Sequence, residues 1–243
     1  PGAVSLFVYE TSRISKFKNN ITVFGNTKFK KLFNLKYINI NIKKELFNSQ
    51  TKNYVNDFIK LEKLNNSSII EVHNRPSYIN IINSKVKNKI LTLYFHNDPL
   101  SMDGSKTIEQ RKKLLKSCYK IIFNSSWSKK RFLEGLENKF VNSNKLAVFF
   151  QSAQKSNSNI INKKRNWITF VGKLNKAKGY DIFVKSIKKI LKRYPNWRAK
   201  IIGDEKREQI ELKEKNADLL GFINHDNVIK VFKKSSITVA CSR

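Results

Sequence analysis

Residues 168–179 read ITFVGKLNKAKG, an apolar stretch that runs into glycine and lysine and then into a long periodic segment. In an open parallel sheet, ligands bind where strands end and helices begin. Gly172 is expected to let the backbone turn and come close to a ligand. Lys173 follows it directly, and Lys178 and Gly179 open the helix expected over 179–194. The first N–H groups and positive dipole end of such a helix favour an anion. Two ammonium groups beside that helix start suit a diphosphate. The competing reading is a plain turn glycine among solvated lysines. The spacing is not a Walker loop, since G-x-x-x-x-G-K-[ST] is absent, and no G-x-G-x-x-G supports a nicotinamide cofactor.

Two further polar clusters follow apolar runs. His73-Asn74-Arg75-Pro76 closes the strand expected over Ser68–His73, and His96-Asn97-Asp98-Pro99 closes Lys89–His96. His96 read alone is better explained by a satisfied core or turn position. His73, His96 and His225 show no metal-ligand spacing, and Cys118 and Cys241 form no C-x-x-C pair. There is no Asp-x-Asp pair either. Cys118 reads as core, and His225 as a solvent-facing residue at a helix start.

The elements that must position these residues alternate between strands and helices. A helix is expected over 3–16, with Val4, Phe7, Val8 and Ile14 on one face. Strands are expected at Ile21–Phe24 and Tyr37–Ile42, and a helix over 44–64. Thr107-x-x-Gln110 has capping-box spacing and starts another helix. Tyr119–Phe123 and Lys145–Phe150 read as strands, with a short helix from Ser126 to Gly135. Residues 151–166 are polar and aperiodic and read as a linker. Alternation then restarts with a strand at Trp167–Val171, the helix over 179–194, a strand at Ala199–Ile202, an extended Leu219–Ile223, a helix over 225–234 and a last strand at Ile237–Cys241. Such alternation implies βαβ units and a parallel sheet. The expected domains are therefore 1–150 and 167–243, joined by 151–166.

The chain has 243 residues, enough to bury a core without disulfides or metal. No apolar run approaches a membrane span, and no signal peptide is visible. Cysteine usage fits a cytoplasmic protein. The net charge is +31, shared as +17 over residues 1–150 and +14 over 151–243. A nucleic-acid partner would gather such charge into a stripe, and no recognition module is present. An even spread fits compositional bias instead, with room for attraction to an anionic membrane.

The stretch FVGKLNKAKGYDIFVKSIKKILKRYPNWRAKIIGD resembles the donor-binding segment of glycosyltransferase family 4. That segment has a strand, Gly-Arg-Leu, Lys-Gly, an amphipathic helix and a strand ending in glycine. Leu220-Gly221 and the run from Ser235 to Ser242 before Arg243 resemble the family's next landmarks. More loosely, Gly2-Ala3-Val4, the strand-closing His73 and His96, and Asn124-Ser125-Ser126 resemble its acceptor domain.

The resemblance implies an α/β fold of GT-B type: two Rossmann-like domains with parallel sheets, the second truncated. It implies a retaining, metal-free transfer of a sugar from a nucleoside-diphosphate sugar to a hydroxyl of a glycan or glycolipid, as in bacterial surface polysaccharide or lipopolysaccharide synthesis. It assigns donor-phosphate binding to Gly172, Lys173 and Lys178. It makes His96, facing the interdomain cleft, the catalytic candidate on the other domain. Asn97, Asp98, Arg75 and Gly2 become sugar or acceptor contacts, and Phe222 and Ile223 flank the base. Lys173 stands where the family carries arginine, which keeps the charge but loses the bidentate fork. The first strand and the C-terminal glutamate motif lie outside the sequence, so the piece is expected not to turn over alone. A nucleic-acid-binding protein and a non-enzymatic nucleotide-sugar binder remain the alternatives. Work at the inner face of the cell membrane fits the charge.

Overall fold

A computed structural model describes residues 2–27, 34–41, 49–140, 143–151, 164–204 and 210–242. Most of the linker expected over 151–166 lies outside the described residues, as do Ile42, the first part of the helix expected over 44–64, and Arg243. The chain is α/β and forms two compact units, residues 1–154 and 155–243. Each is Rossmann-like, with a four-stranded parallel sheet.

The first unit orders its main sheet β3-β4-β5-β6, with β3 Ile69–His73, β4 Ile90–Phe95, β5 Lys120–Phe123 and β6 Leu146–Val148. All three pairings are parallel. Helices α3 Pro76–Lys85, α4 Ile108–Ser117 and α5 Ser126–Leu133 make the crossovers, after α1 Ala3–Ile14 and α2 Gln50–Asn65. A small parallel pair, β1 Val23–Gly25 with β2 Tyr37–Asn39, stands apart from the main sheet. Central β4 is buried almost throughout, as a strand between layers of helix must be. Cys118 is 1% exposed, within the core expected for it.

Local chemistry sets the helix ends. Thr107 Oγ1 accepts from the Gln110 N–H while Gln110 returns a bond to the Thr107 N–H, so the capping box forms as spaced. Helix α2 starts at Gln50, where Ser49 caps it by accepting from the Lys52 N–H. Helix α1 turns no apolar face wholly inward: Ile14 is exposed, and Ser12 is its one buried residue.

The second unit orders its sheet β10-β7-β8-β9, again all parallel, with β7 Arg165–Val171, β8 Arg198–Ile202, β9 Ala217–Leu219 and β10 Ser235–Val239. Helix α6, Tyr180–Arg193, joins β7 to β8, and α7, His225–Lys234, leads into β10. Helix α6 buries Tyr180, Phe183, Val184, Ile187 and Leu191, a stripe at three- and four-residue steps. Each such side chain contributes about 1.5–3 kcal/mol on burial, so this stripe fixes the rotational setting of the helix and the direction of its first turn. Strand β10 begins at Ser235 rather than Ile237. Ser235 Oγ lies 2.6 Å from Thr169 Oγ1, so two buried hydroxyls satisfy each other.

Candidate functional site

In both units the polar candidates lie beyond the carboxyl ends of parallel strands. In the second unit these ends are Val171, Ile202, Leu219 and Val239. The Gly172 N–H donates to Ile202 O at 3.0 Å, and the Gly203 N–H to Gly221 O at 2.9 Å, which ties three strand-end loops together. Gly172 is not in the left-handed region, and a β-carbon on it would meet only ordinary contacts. The conformational demand expected at Gly172 falls on Gly203, with φ 134°, and on Gly179, with φ 69°. A β-carbon on Gly203 would overlap Gly172 O, and one on Gly179 would overlap Cys241 O.

Between Gly172 and α6 the chain makes a short 3-10 turn, Lys176–Lys178. Asn175 organises it: its side-chain oxygen accepts from the Lys178 N–H at 3.0 Å, and its carbonyl from the Tyr180 N–H at 3.1 Å. The first α6 N–H is therefore used within the protein, and an anion would meet the later N–H groups of that turn. Lys178 lies in the 3-10 turn and Gly179 caps the helix, which starts at Tyr180, one residue after the start expected from periodicity. Lys173 and Lys178 are both exposed, and no ion pair engages either ammonium among the described residues. Phe222 is 68% exposed and Ile223 half-buried, on the loop that Gly221 anchors beside Gly203. The arrangement can hold an anion with two exposed cations, a helix start and a close-packed glycine floor.

In the first unit, the strand ends deliver His73, His96, Asn124 and the segment up to Gln151 to one edge. The backbone of His96 is held on both sides. Its N–H donates to Asn74 Oδ1, and its carbonyl accepts from Asn124 Nδ2, each at 2.8 Å. Asn74 takes the left-handed conformation, φ 52°, in doing so. The His96 ring is 8% exposed as a residue. It stacks on Tyr94, with centroids 4.4 Å apart, and meets Phe7 of α1 edge-on at 4.9 Å. Its Nε2 lies 2.9 Å from His73 Nδ1, and its Nδ1 is bonded by the Gln151 amide. Burial, and then the neighbouring His73, pushes the His96 imidazole down to about 4, with Glu71 opposing. The ring is neutral at ordinary pH.

The neighbours of His96 differ in availability. Asn97 is exposed. Asp98 is committed within its unit: one carboxylate oxygen accepts from the Leu100 N–H at 3.0 Å, and the other from Arg131 at 3.2 Å. A carboxylate so used caps a turn rather than offering itself to a sugar. Arg75 is exposed and donates to Asn74 O at 2.9 Å, beside a groove of about 310 Å³ that includes Ser77, Tyr78 and Asp103. Gly2 is exposed, with open space about it, at the start of α1. His225 is exposed at the start of α7. Glu71 and Gln151, which the sequence reading did not single out, complete the His73–His96 cluster. Strand periodicity could have found Glu71, since it lies two residues from His73 on the same face. Among the described residues no three His, Cys, Asp or Glu side chains gather as a metal-binding group, and no helix is long and apolar enough to cross a membrane.

Residues 151–243 match the family model described as glycosyl transferases group 1. No curated protein matches the chain. Among solved structures, Anabaena HepE in complex with UDP-glucose is 15% identical with a TM-score of 0.70, over 100% of this chain and 71% of that one. WaaG, a glycosyltransferase involved in lipopolysaccharide biosynthesis, is 11% identical with a TM-score of 0.58, over 98% and 70%. TarM is 15% identical with a TM-score of 0.56, over 81% of this chain and 40% of its own. The chain thus spans about two fifths of TarM and about seven tenths of the other two. These likenesses show the fold, an α/β fold of GT-B type, and the family match is confined to residues 151–243.

Proposed function

We propose that the protein transfers a sugar from a nucleoside-diphosphate sugar to a hydroxyl of a glycan or glycolipid. The observation that carries this reading is the loop from Gly172 to Tyr180, with the exposed Lys173 and Lys178 at a helix start, inside the segment that matches the group 1 glycosyl transferases. In the reaction the bond from the anomeric carbon to the diphosphate oxygen breaks and a bond to the acceptor oxygen forms. The acceptor proton leaves with the departing phosphate. Negative charge grows on that phosphate, and Lys173 and Lys178 stabilise it as fixed cations, with Gly172 as the floor. This is the charge that a metal would otherwise meet, so the reading needs no cofactor.

His96 is the proposed contact to the transferred sugar, with Asn97 and Arg75 as sugar or acceptor contacts and Phe222 and Ile223 against the base. Gly2 belongs with the acceptor contacts. Retention of anomeric configuration is part of the same proposal. So is an acceptor at the inner face of a membrane, in surface polysaccharide or lipopolysaccharide synthesis. The lipopolysaccharide role of WaaG and the +31 charge support that part.

The test is donor-nucleotide affinity for Lys173→Ala and Lys178→Ala, and sugar transfer by the same variants in a chain that also carries the C-terminal glutamate motif, with melting temperature as control. Each lysine is exposed, so folding should be unchanged. Each charge-assisted hydrogen bond is worth about 1.5–3 kcal/mol, or roughly ten- to a hundredfold in affinity. Wild-type affinity and transfer in both variants would remove this loop from the mechanism.

A further inference from the structure

A line of side chains runs from the surface to His96. Glu71 Oε1 lies 2.8 Å from His73 Nε2, His73 Nδ1 lies 2.9 Å from His96 Nε2, and the Gln151 amide bonds His96 Nδ1. Strand geometry makes the line. Glu71 and His73 share one face of β3, and register pairs His73 with Tyr94, so His96 follows two positions on.

The carboxylate decides where the protons sit. It accepts only, so His73 must present an N–H at Nε2. A neutral His73 then has a bare Nδ1, which accepts from an N–H on His96 Nε2. A neutral His96 in turn has a bare Nδ1, which the Gln151 NH₂ satisfies. The reverse order would set a lone pair of His73 against the carboxylate.

We propose that Glu71 is a positioning residue that, through His73, fixes the tautomer of His96 and leaves its Nδ1 as a hydrogen-bond acceptor for a hydroxyl of the transferred sugar. The sugar step rests on the function proposed above; the tautomer does not. In the structure Gln151 fills the acceptor, so a sugar hydroxyl reaching His96 replaces the Gln151 amide. The site then selects a donor sugar with a free hydroxyl at that position. A deoxy or O-methyl analogue offers no proton and leaves a buried acceptor unmatched.

Nitrogen-15 NMR of histidine-labelled protein near neutral pH tests this, since the chain has three histidines and His225→Gln assigns the exposed one. The expected pattern is a proton on Nε2 and none on Nδ1 of His96. Glu71→Gln keeps the pattern, because the amide oxygen still accepts from His73. Glu71→Ala gives mixed tautomers at His96. The Glu71 side chain is 47% exposed, so both variants should fold. A proton on His96 Nδ1 in the wild type, or an unchanged pattern in Glu71→Ala, overturns the relay. In a second arm, affinity for a nucleotide sugar falls about five- to tenfold in Glu71→Ala and returns in Glu71→Gln. Unchanged affinity beside the expected NMR pattern overturns the sugar contact alone and leaves tautomer control standing.

Discussion

Gly203 leans on the peptide of Gly172: a β-carbon on Gly203 would overlap the Gly172 carbonyl oxygen. Gly203 also has φ 134°, a conformation that L side chains rarely adopt. The two glycines therefore differ in kind. Gly203→Ala should cost about 2 kcal/mol or more, since strain and overlap add. Gly172→Ala should cost about 1 kcal/mol or less, because its nearest neighbours are 3.7 Å away. Thermal melting of the two variants decides, and equal melting temperatures would contradict the packing described.

The buried His96 makes stability depend on pH. Its imidazole titrates at about 4 in the folded chain, against about 6.5 in an unfolded one. Between those values the unfolded state binds the extra proton. The contribution of His96 is therefore complete above pH 6.5 and is lost as pH falls toward 4. The melting temperature should drop between pH 7 and pH 5, before most carboxylates titrate. His96→Gln should flatten that drop. A variant as pH-sensitive as the wild type would place the titrating group elsewhere.

Tyr180 is fully buried, and its hydroxyl has no hydrogen-bond partner among the described residues. Burial pushes its phenol up from 10. An unmatched buried hydroxyl costs about 1–3 kcal/mol, so Tyr180→Phe should raise the urea midpoint, with the stripe of α6 otherwise kept. A lowered midpoint would mean that the hydroxyl is satisfied after all.

A charge of +31 without a compensating acidic excess should draw the protein to anionic vesicles at low salt, with little affinity for neutral ones. Raising ionic strength from about 0.01 to 0.15 M shortens the screening length from about 30 to 8 Å, so binding should weaken strongly. Co-sedimentation at the two salt levels is the measurement. Salt-independent binding would exclude an electrostatic cause.

Much of the fold is legible because apolar periodicity carries it. Helix α7 runs over the expected residues, and α6 lies within one residue of its expected ends. The misses share one cause, polar groups satisfied by distant partners. Ser235 begins β10 because a hydroxyl on β7 meets it, 66 residues away in sequence. Asp98 looks available in sequence, but it is tied to Arg131. Gly172 and Gly203 look alike as strand-ending glycines, and only their packing shows which must be glycine. The His73–Glu71 contact follows from strand alternation alone; joining it to His96 needs the register of β3 on β4.

The contact of Gly179 with Cys241 bears on how the anion loop is made. Cys241 Sγ donates to Gly179 O at 3.1 Å, across 62 residues of chain. During synthesis, Lys173 and Lys178 emerge long before the segment that supports their helix start. At about 5–20 residues per second, that interval is roughly 3–12 s. The nascent loop spends it without its partner, and contacts of such long sequence separation form late. Conditions that slow elongation between these points should extend the time in which the second unit is open to proteases or chaperones.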